Sequence, residues 1–290
     1  MTVTDVNVVK STIFERPDDA NKGTLGSLLC VCGSYGMAGA AVMSAKGALR
    51  TGIGLAKCAL PRSIYPIVAQ TILESVYYPL SENADGRISK VNVPFLVSES
   101  CKSSATLVGC GLGVCDDTLK IVFSLIEDST TPLVLDADAL NCVAKQPEIL
   151  LRKKAPIIIT PHPGEMSRLT GLATPLVNAE RERVALDFAQ KYGVVTVLKG
   201  AGTVIASPNG KVLVNPTGNS GMATGGSGDV LTGIIAGLAA QGISVQEAAL
   251  AGVYMHGLAG DLASKGIIGM AAGEISQYLP QARRIIEQGE

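Results

Sequence analysis

From Ser27 onward, short apolar runs alternate with longer amphipathic stretches. The apolar runs read as strands over 28–32, 55–60, 75–78, 105–108, 133–136, 156–160, 194–198, 203–206 and 212–214. The stretches between them predict helices over 38–51, 62–70, 116–128, 138–151, 164–170, 177–192, 228–242, 244–264 and 272–287. Residues 1–22 are polar and read as a leader helix followed by a loop. Strand–helix alternation predicts an α/β fold: a mainly parallel central sheet with helices on both faces. Ile157-Ile158-Ile159 is apolar on successive residues, as a strand covered on both sides should be. The rhythm breaks after 196. The run 203–206, then Ser207-Pro208-Asn209-Gly210, then 211–214 reads as a hairpin turning on Asn-Gly. The sheet should therefore end in an antiparallel section. No linker, repeat or low-complexity segment divides residues 1–290, which predicts a single domain.

Composition narrows this picture. Apolar residues make up 47% of the chain, yet Trp is absent and aromatics are scarce, so Val, Ile, Leu and Ala must build the core. The 33 glycines suit close helix–strand packing and tight turns, with no collagen-like period. A net charge of -1 without a basic stripe argues against a nucleic-acid partner. No signal-peptide pattern opens the chain, and no apolar run reaches the roughly 18 residues of a membrane span. A cytoplasmic protein without membrane contact is expected. The seven cysteines (Cys30, Cys32, Cys58, Cys101, Cys110, Cys115 and Cys142) form no CxxC pair, and the chain has only two histidines. Reduced, buried thiols are the expectation, and a zinc site is disfavoured.

The segment richest in chemistry is 215–231, NPTGNSGMATGGSGDVL, between the hairpin and an Ala/Ile/Leu-rich helix. Glycines let backbone approach a ligand closely. The free N–H groups of a helix starting near Gly228 would point back into this loop and form an anion hole. Asp229 falls in the first helical turn, where an acid is favoured in any case. A carboxylate there also repels a bound phosphate, a cost that makes sense if it acts as a base toward an attacking hydroxyl. The loop is neither a Walker A motif nor GxGxxG after a first strand.

Other candidates leave alternatives open. His162 lies just past a strand end, as a surface turn residue or a ligand contact. His256 sits in an apolar helix and reads as packed or capping. Asp136 and Asp138 would share a strand face, able to hold metal or orient neighbours, or one of them caps the next helix. Glu165 is a first-turn acid candidate, and Lys199 either a phosphate-facing cation or a strand-end lysine. The small-residue helix 38–51 suits core packing or an oligomer contact. The sequence assigns no metal ligand.

The run NPTGNSGMATGGSGDVLTGIIAGLAAQG at 215–242 resembles the signature of ADP-dependent (S)-NAD(P)H-hydrate dehydratases, in the ribokinase-like superfamily. Shorter segments support it: KGTLG at 22–26, Gly33-Ser34 with MAGAA at 37–41, GCGLG at 109–113, DADAL at 136–140, TPHPGEM at 160–166 and KGAGT at 199–203. Together they span about residues 16–280. The chain departs from the family pattern at Asn21, where His is usual, at Cys110, where Pro is usual, and at 272–275. The resemblance implies dehydration of (6S)-NADHX or NADPHX to NADH or NADPH through a phosphorylated intermediate. ADP or ATP is the co-substrate with Mg2+, and AMP and phosphate are released when ADP is used. It implies Asp229 as base, with Gly225, Gly226, Ser227 and Gly228 stabilising the phosphoryl group. It places substrate contacts at Ala40, Gly113, His162 and Asp229, and nucleotide contacts at Lys199, Gly200, Ala201, Gly202, Thr203 and Gly228. It also implies a homo-oligomer, with a tetramer among its forms, and a functional link to a separate NAD(P)HX epimerase. No fused epimerase domain is expected, because the match begins after a short leader.

Two rivals remain at this level. A small-molecule kinase of the same superfamily would share the anion hole and the base, and would accumulate a phosphorylated product. A non-catalytic nucleotide sensor would have no use for Asp229.

Overall fold

The computed structural model describes residues 3–13, 16–264 and 269–289. Its strands are β1 (Ser27–Val31), β2 (Leu55–Pro61), β3 (Val76–Leu80), β4 (Ala105–Val108), β5 (Leu133–Leu135), β6 (Ile157–Ile159), β7 (Val195–Leu198), β8 (Val204–Ala206) and β9 (Val212–Val214). They form one sheet in the order β3-β2-β1-β4-β5-β6-β7-β8-β9. Pairing is parallel from β3 through β7 and antiparallel for β7–β8 and β8–β9. All nine strands were legible as apolar runs, and β8–β9 is the hairpin expected around Asn209-Gly210. Gly210 there takes φ 95°, the left-handed conformation such a turn needs.

The helices are α1 (Val6–Lys10), α2 (Ala38–Arg50), α3 (Tyr65–Thr71), α4 (Val93–Cys101), α5 (Asp116–Asp128), α6 (Asp138–Val143), α7 (Pro163–Thr170), α8 (Thr174–Ala179), α9 (Arg181–Tyr192), α10 (Ser227–Ala240), α11 (Val245–Ser264) and α12 (Ala272–Gln288). Three expectations are corrected. The helix expected over 138–151 stops at Val143, and a 3-10 segment, Pro147–Arg152, follows. The residue before a proline is pushed out of the helical region, and Gln146 sits at φ -154°, ψ 77°. The helix expected over 177–192 is two helices, broken at Glu180 (φ -126°, ψ 41°). Helix α4 was not anticipated, although Pro94 in its first turn is a start signal.

Side chains alternate along the strands between two cores. Leu28 and Cys30 face one with α2, α10, α11 and α12, while Leu29 and Val31 face the other with α5, α6, α7 and α9. Helix α10 is buried from Val230 to Ala240. It reaches α2 across a seam of glycines. A Cβ on Gly47 would lie 2.5 Å from the Val230 carbonyl oxygen, and one on Gly233 would lie 2.1 Å from that of Ser44. The small-residue helix 38–51 is therefore core packing against α10. That contact fixes where α10 begins, and so where the glycine-rich loop ends.

Gly233→Ala must force the two backbones apart. We expect a loss of about 2–3 kcal/mol in stability, seen as a melting temperature lower by roughly 4–10 °C. Gly39→Ala, on the open side of α2 with no atom near its added Cβ, should leave the melting temperature unchanged or slightly raised.

Candidate active site

Four loops converge at the carboxyl ends of β4, β5, β6 and β7, the edge where open α/β sheets bind ligands. The chain after β5 carries the sharpest bend. Ala137 sits at φ 49°, ψ -113°, the one non-glycine with positive φ among the described residues. Such a conformation costs on the order of 1–3 kcal/mol and persists only where its surroundings enforce it. It turns Asp136 and Asp138 apart, against the expectation that they share a face. Neither caps α6, since the N-cap is Ala137 and no side chain caps it. Asp138 instead accepts the Gly113 N–H at 2.7 Å. Gly109 makes the bend possible, because a Cβ there would stand 1.9 Å from the Asp136 carbonyl oxygen.

Asp136 points inward and is buried. Its Oδ1 accepts from Lys199 Nζ at 2.6 Å, and its Oδ2 accepts from Thr232 Oγ1 at 2.7 Å. Glu165 adds a second carboxylate 3.7 Å from Lys199 and accepts the His162 N–H at 2.8 Å. Burial opposes the charge on Lys199, but Asp136 and Glu165 overcome it and hold its pKa above the usual lysine range. Lys199 stands beside the start of α10: a Cβ on Gly228 would lie 3.5 Å from its ammonium. Lys199 is thus a strand-end lysine whose ammonium, held by two carboxylates, borders the glycine-rich loop.

Helix α10 opens at Gly226, whose φ of 92° makes it an N-cap without a side-chain cap. A Cβ there would meet Met43 Sδ at 2.0 Å. The amides of Gly225, Gly226, Gly228 and Asp229 donate to no group among the described residues. The Ser227 N–H does not belong with them, because it bonds the Thr224 carbonyl at 3.3 Å. Ser227 offers its hydroxyl instead, 3.4 Å from His256 Nε2. Helix α11 anchors the approach to this loop. Thr217 Oγ1 donates to the Tyr254 carbonyl at 3.0 Å. Asp261 accepts from the Gly218 N–H and from Asn219 Nδ2, each at 2.8 Å.

Asp229 is half-buried in the first turn of α10. Burial pushes its carboxyl up to about 6, and the neighbouring charge of Asp136 adds to that; the Cys110 thiol and Lys199 pull the other way. Ligand-type atoms of Cys110, Asp136 and Asp229 lie within 4.8 Å of one another. The set does not make a Mg2+ cage, because a thiol is a poor ligand for a hard cation and Asp136 is already engaged by Lys199. Cys110 is itself held protonated, its pKa raised by its hydrogen bond to Cys32, by burial and by the nearby carboxylates.

The remaining predicted contacts flank this centre. Ala40 packs under Gly111, whose Cβ would stand 2.8 Å from that of Ala40. Gly113 (φ 72°) is covered by the Arg87 side chain. His162 is half exposed and caps α7 through Nδ1, which accepts the Gly164 N–H at 3.0 Å. The loop 199–203 is held by Arg181, which donates to the carbonyls of Leu198 (2.9 Å), Lys199 (3.3 Å) and Gly202 (3.4 Å). Beside that loop opens a cleft of about 630 Å³, lined by 178–183, Ala201, Gly202, Val204 and Val214. Sequence reasoning missed Thr232 and Arg181 as parts of the site. Asp136 was named as a residue able to orient its neighbours, but not its pairing with Lys199 and Thr232.

Residues 28–281 match the sequence profile of the NAD(P)H-hydrate dehydratase family. The chain belongs to that family. It is 41% identical over 281 residues to the bifunctional NAD(P)H-hydrate repair enzyme Nnr of Moorella thermoacetica, covering 96% of this chain and 53% of that one. The chain thus spans about half the length of this curated relative. The ADP/ATP-dependent NAD(P)H-hydrate dehydratase of Bacillus subtilis, co-crystallised with ATP/Mg2+, superposes with a TM-score of 0.84 at 31% identity, covering 99% of both chains. Ribokinase from Thermotoga maritima shares the fold alone, with a TM-score of 0.51 at 15% identity over 88% of this chain and 96% of its own. The predicted ribokinase-like architecture, with its late antiparallel section, is the one observed.

Lys199→Met would strand the buried Asp136 carboxylate. We expect about 3–5 kcal/mol less stability in urea unfolding at neutral pH. Adding Asp136→Asn should recover part of that loss, because the charge is gone. A single variant as stable as the parent would contradict the pairing.

Proposed function

We propose that the chain dehydrates (6S)-NADHX and NADPHX to NADH and NADPH at the expense of ADP or ATP. The observation that carries the reading is the placement of Asp229: a carboxyl raised to about 6 beside uncapped helix amides. An anion hole alone would serve a sensor. An ionisable acid set against that hole fits proton removal from a hydroxyl that attacks phosphorus.

The steps balance as follows. Asp229 takes the proton of the C6 hydroxyl as its oxygen bonds the terminal phosphorus. The bond to the nucleotide breaks, releasing AMP when ADP is used. The amides of Gly225, Gly226 and Gly228 and the Ser227 hydroxyl carry charge on the moving phosphoryl group. The C6–O bond then breaks with its electrons on phosphate, a far better leaving group than hydroxide. Loss of a ring proton restores the double bond. Mg2+ carried by the nucleotide would offset the charge on its phosphates. The nucleotide lies along Lys199, Gly200, Ala201, Gly202 and Thr203, with its base toward the cleft by 178–183. The hydrated nicotinamide lies toward Ala40, Gly113 and His162.

The same reading includes one domain, a cytoplasmic location, a homo-oligomer that includes a tetramer, and an NAD(P)HX epimerase as functional partner. Among the described residues no helix is long and apolar enough to cross a membrane, in line with that location.

Incubation with hydrated NADH, Mg2+ and ADP or ATP should restore the near-ultraviolet absorbance of NADH with release of phosphate. A stable phosphorylated product would instead favour the kinase reading. Asp229→Asn should keep nucleotide affinity and lose about 10²- to 10⁴-fold in turnover. The acid form predominates below the raised pKa and cannot accept a proton. The profile of kcat/KM, which reports the free enzyme, should therefore fall about tenfold per pH unit below pH 6 and level off above it.

A further inference from the structure

His256 is a buried titratable group to which the proposed chemistry gives no task. It lies on α11 beneath the opening of α10, with Nε2 3.4 Å from Ser227 Oγ. Burial pushes its pKa down to about 4; a hydrogen bond with the Ser227 backbone opposes that, and the Lys199 charge adds to it. The imidazole is therefore neutral at neutral pH, with one nitrogen donating and one accepting.

Two arrangements of the Ser227–His256 contact are possible, and they present opposite faces to an anion. If Nε2 accepts, the serine hydrogen points at His256 and the oxygen lone pairs turn toward the loop. If Nε2 carries the hydrogen and donates, Oγ keeps its own hydrogen for a ligand. The surroundings discriminate between them. Ser227 is the first residue of α10, and the amides of Gly228 and Asp229 beside it have no partner among the described residues. Its own N–H is spent on Thr224. The position thus contributes to an anion hole only through a hydroxyl that donates.

We propose that His256, as its Nε2–H tautomer, donates to Ser227 Oγ and commits the Ser227 hydroxyl hydrogen to the transferring phosphoryl group. His256 is then a positioning residue that acts through Ser227 without touching the reactants. This rests on the phosphoryl-transfer reading above.

The test is a double-mutant cycle in the full chain, with hydrated NADH and Mg·ADP. His256→Phe removes the donor while keeping a ring, and should lower kcat by on the order of 10- to 100-fold, with KM for hydrated NADH little changed. His256→Gln, whose amide can donate, should stay within a few-fold of the parent. In a Ser227→Ala background, His256→Phe should cost less than about twofold, because the group it acts through is gone. An equal loss in both backgrounds, or an unchanged kcat in the single variant, would overturn the inference. If His256→Phe fails to fold, His256→Asn, whose amide stops short of Ser227, takes its place in the same cycle. Failure of the parent chain to restore NADH would count against the dehydratase reading itself, and is distinct from either result.

Discussion

The ion pair between Lys199 and Asp136 is the interaction on which the rest of the site depends. It joins the loop after β7 to the end of β5 at 2.6 Å, deep beneath the opening of α10. Alone, either charge would be costly to bury, and together they need further partners. Thr232 and Glu165 supply them, from α10 and α7. One pair therefore fixes two strand ends and two helices relative to one another. It also sets the electrostatics that Asp229 experiences. The charge on Lys199 is largely answered by Asp136 and Glu165, so Asp229 is left in a partly dry place with a carboxylate neighbour and titrates near 6.

Packing supports the same end. The start of α10 is positioned from below by the glycine seam with α2 and from the side by α11. Gly257 and Gly260 on α11 leave room for Thr217 and Met222: a Cβ at either position would lie 2.2 Å or 2.3 Å from them. Asp261 then ties Gly218 and Asn219 to α11. The glycine-rich loop is rigid at its anchors and open at Gly225, where an added Cβ would meet nothing. Such a loop can present fixed amides to a ligand without paying for reorganisation at each turnover.

Much of this was legible in the sequence because the parallel strands are apolar on consecutive residues and the loop between β9 and α10 is dense in glycine. The Asn-Gly turn and Asp229 at the helix start were local signals of the same kind. What escaped notice was non-local. Asp136 and Lys199 are 63 residues apart, and Asp136 and Thr232 are 96 apart. No spacing rule links them before the sheet order is known. The bend at Ala137 was equally hidden, since alanine carries no turn signal, and it rules out the alternative that Asp136 or Asp138 caps the next helix. The breaks before Pro147 and at Glu180 show the ordinary limit of periodicity, which continues through a residue whose backbone has left the helix.

The central claim is that Asp229 is an aspartate whose environment, more than its helix position, sets its protonation. The most direct measurement is a pH titration of the aspartate side-chain carboxyls by carbon-13 NMR, comparing the parent chain with Asp229→Asn. The account requires a resonance that titrates near pH 6 in the parent and is missing from the variant. An Asp229 resonance that titrates in the ordinary aspartate range would contradict it.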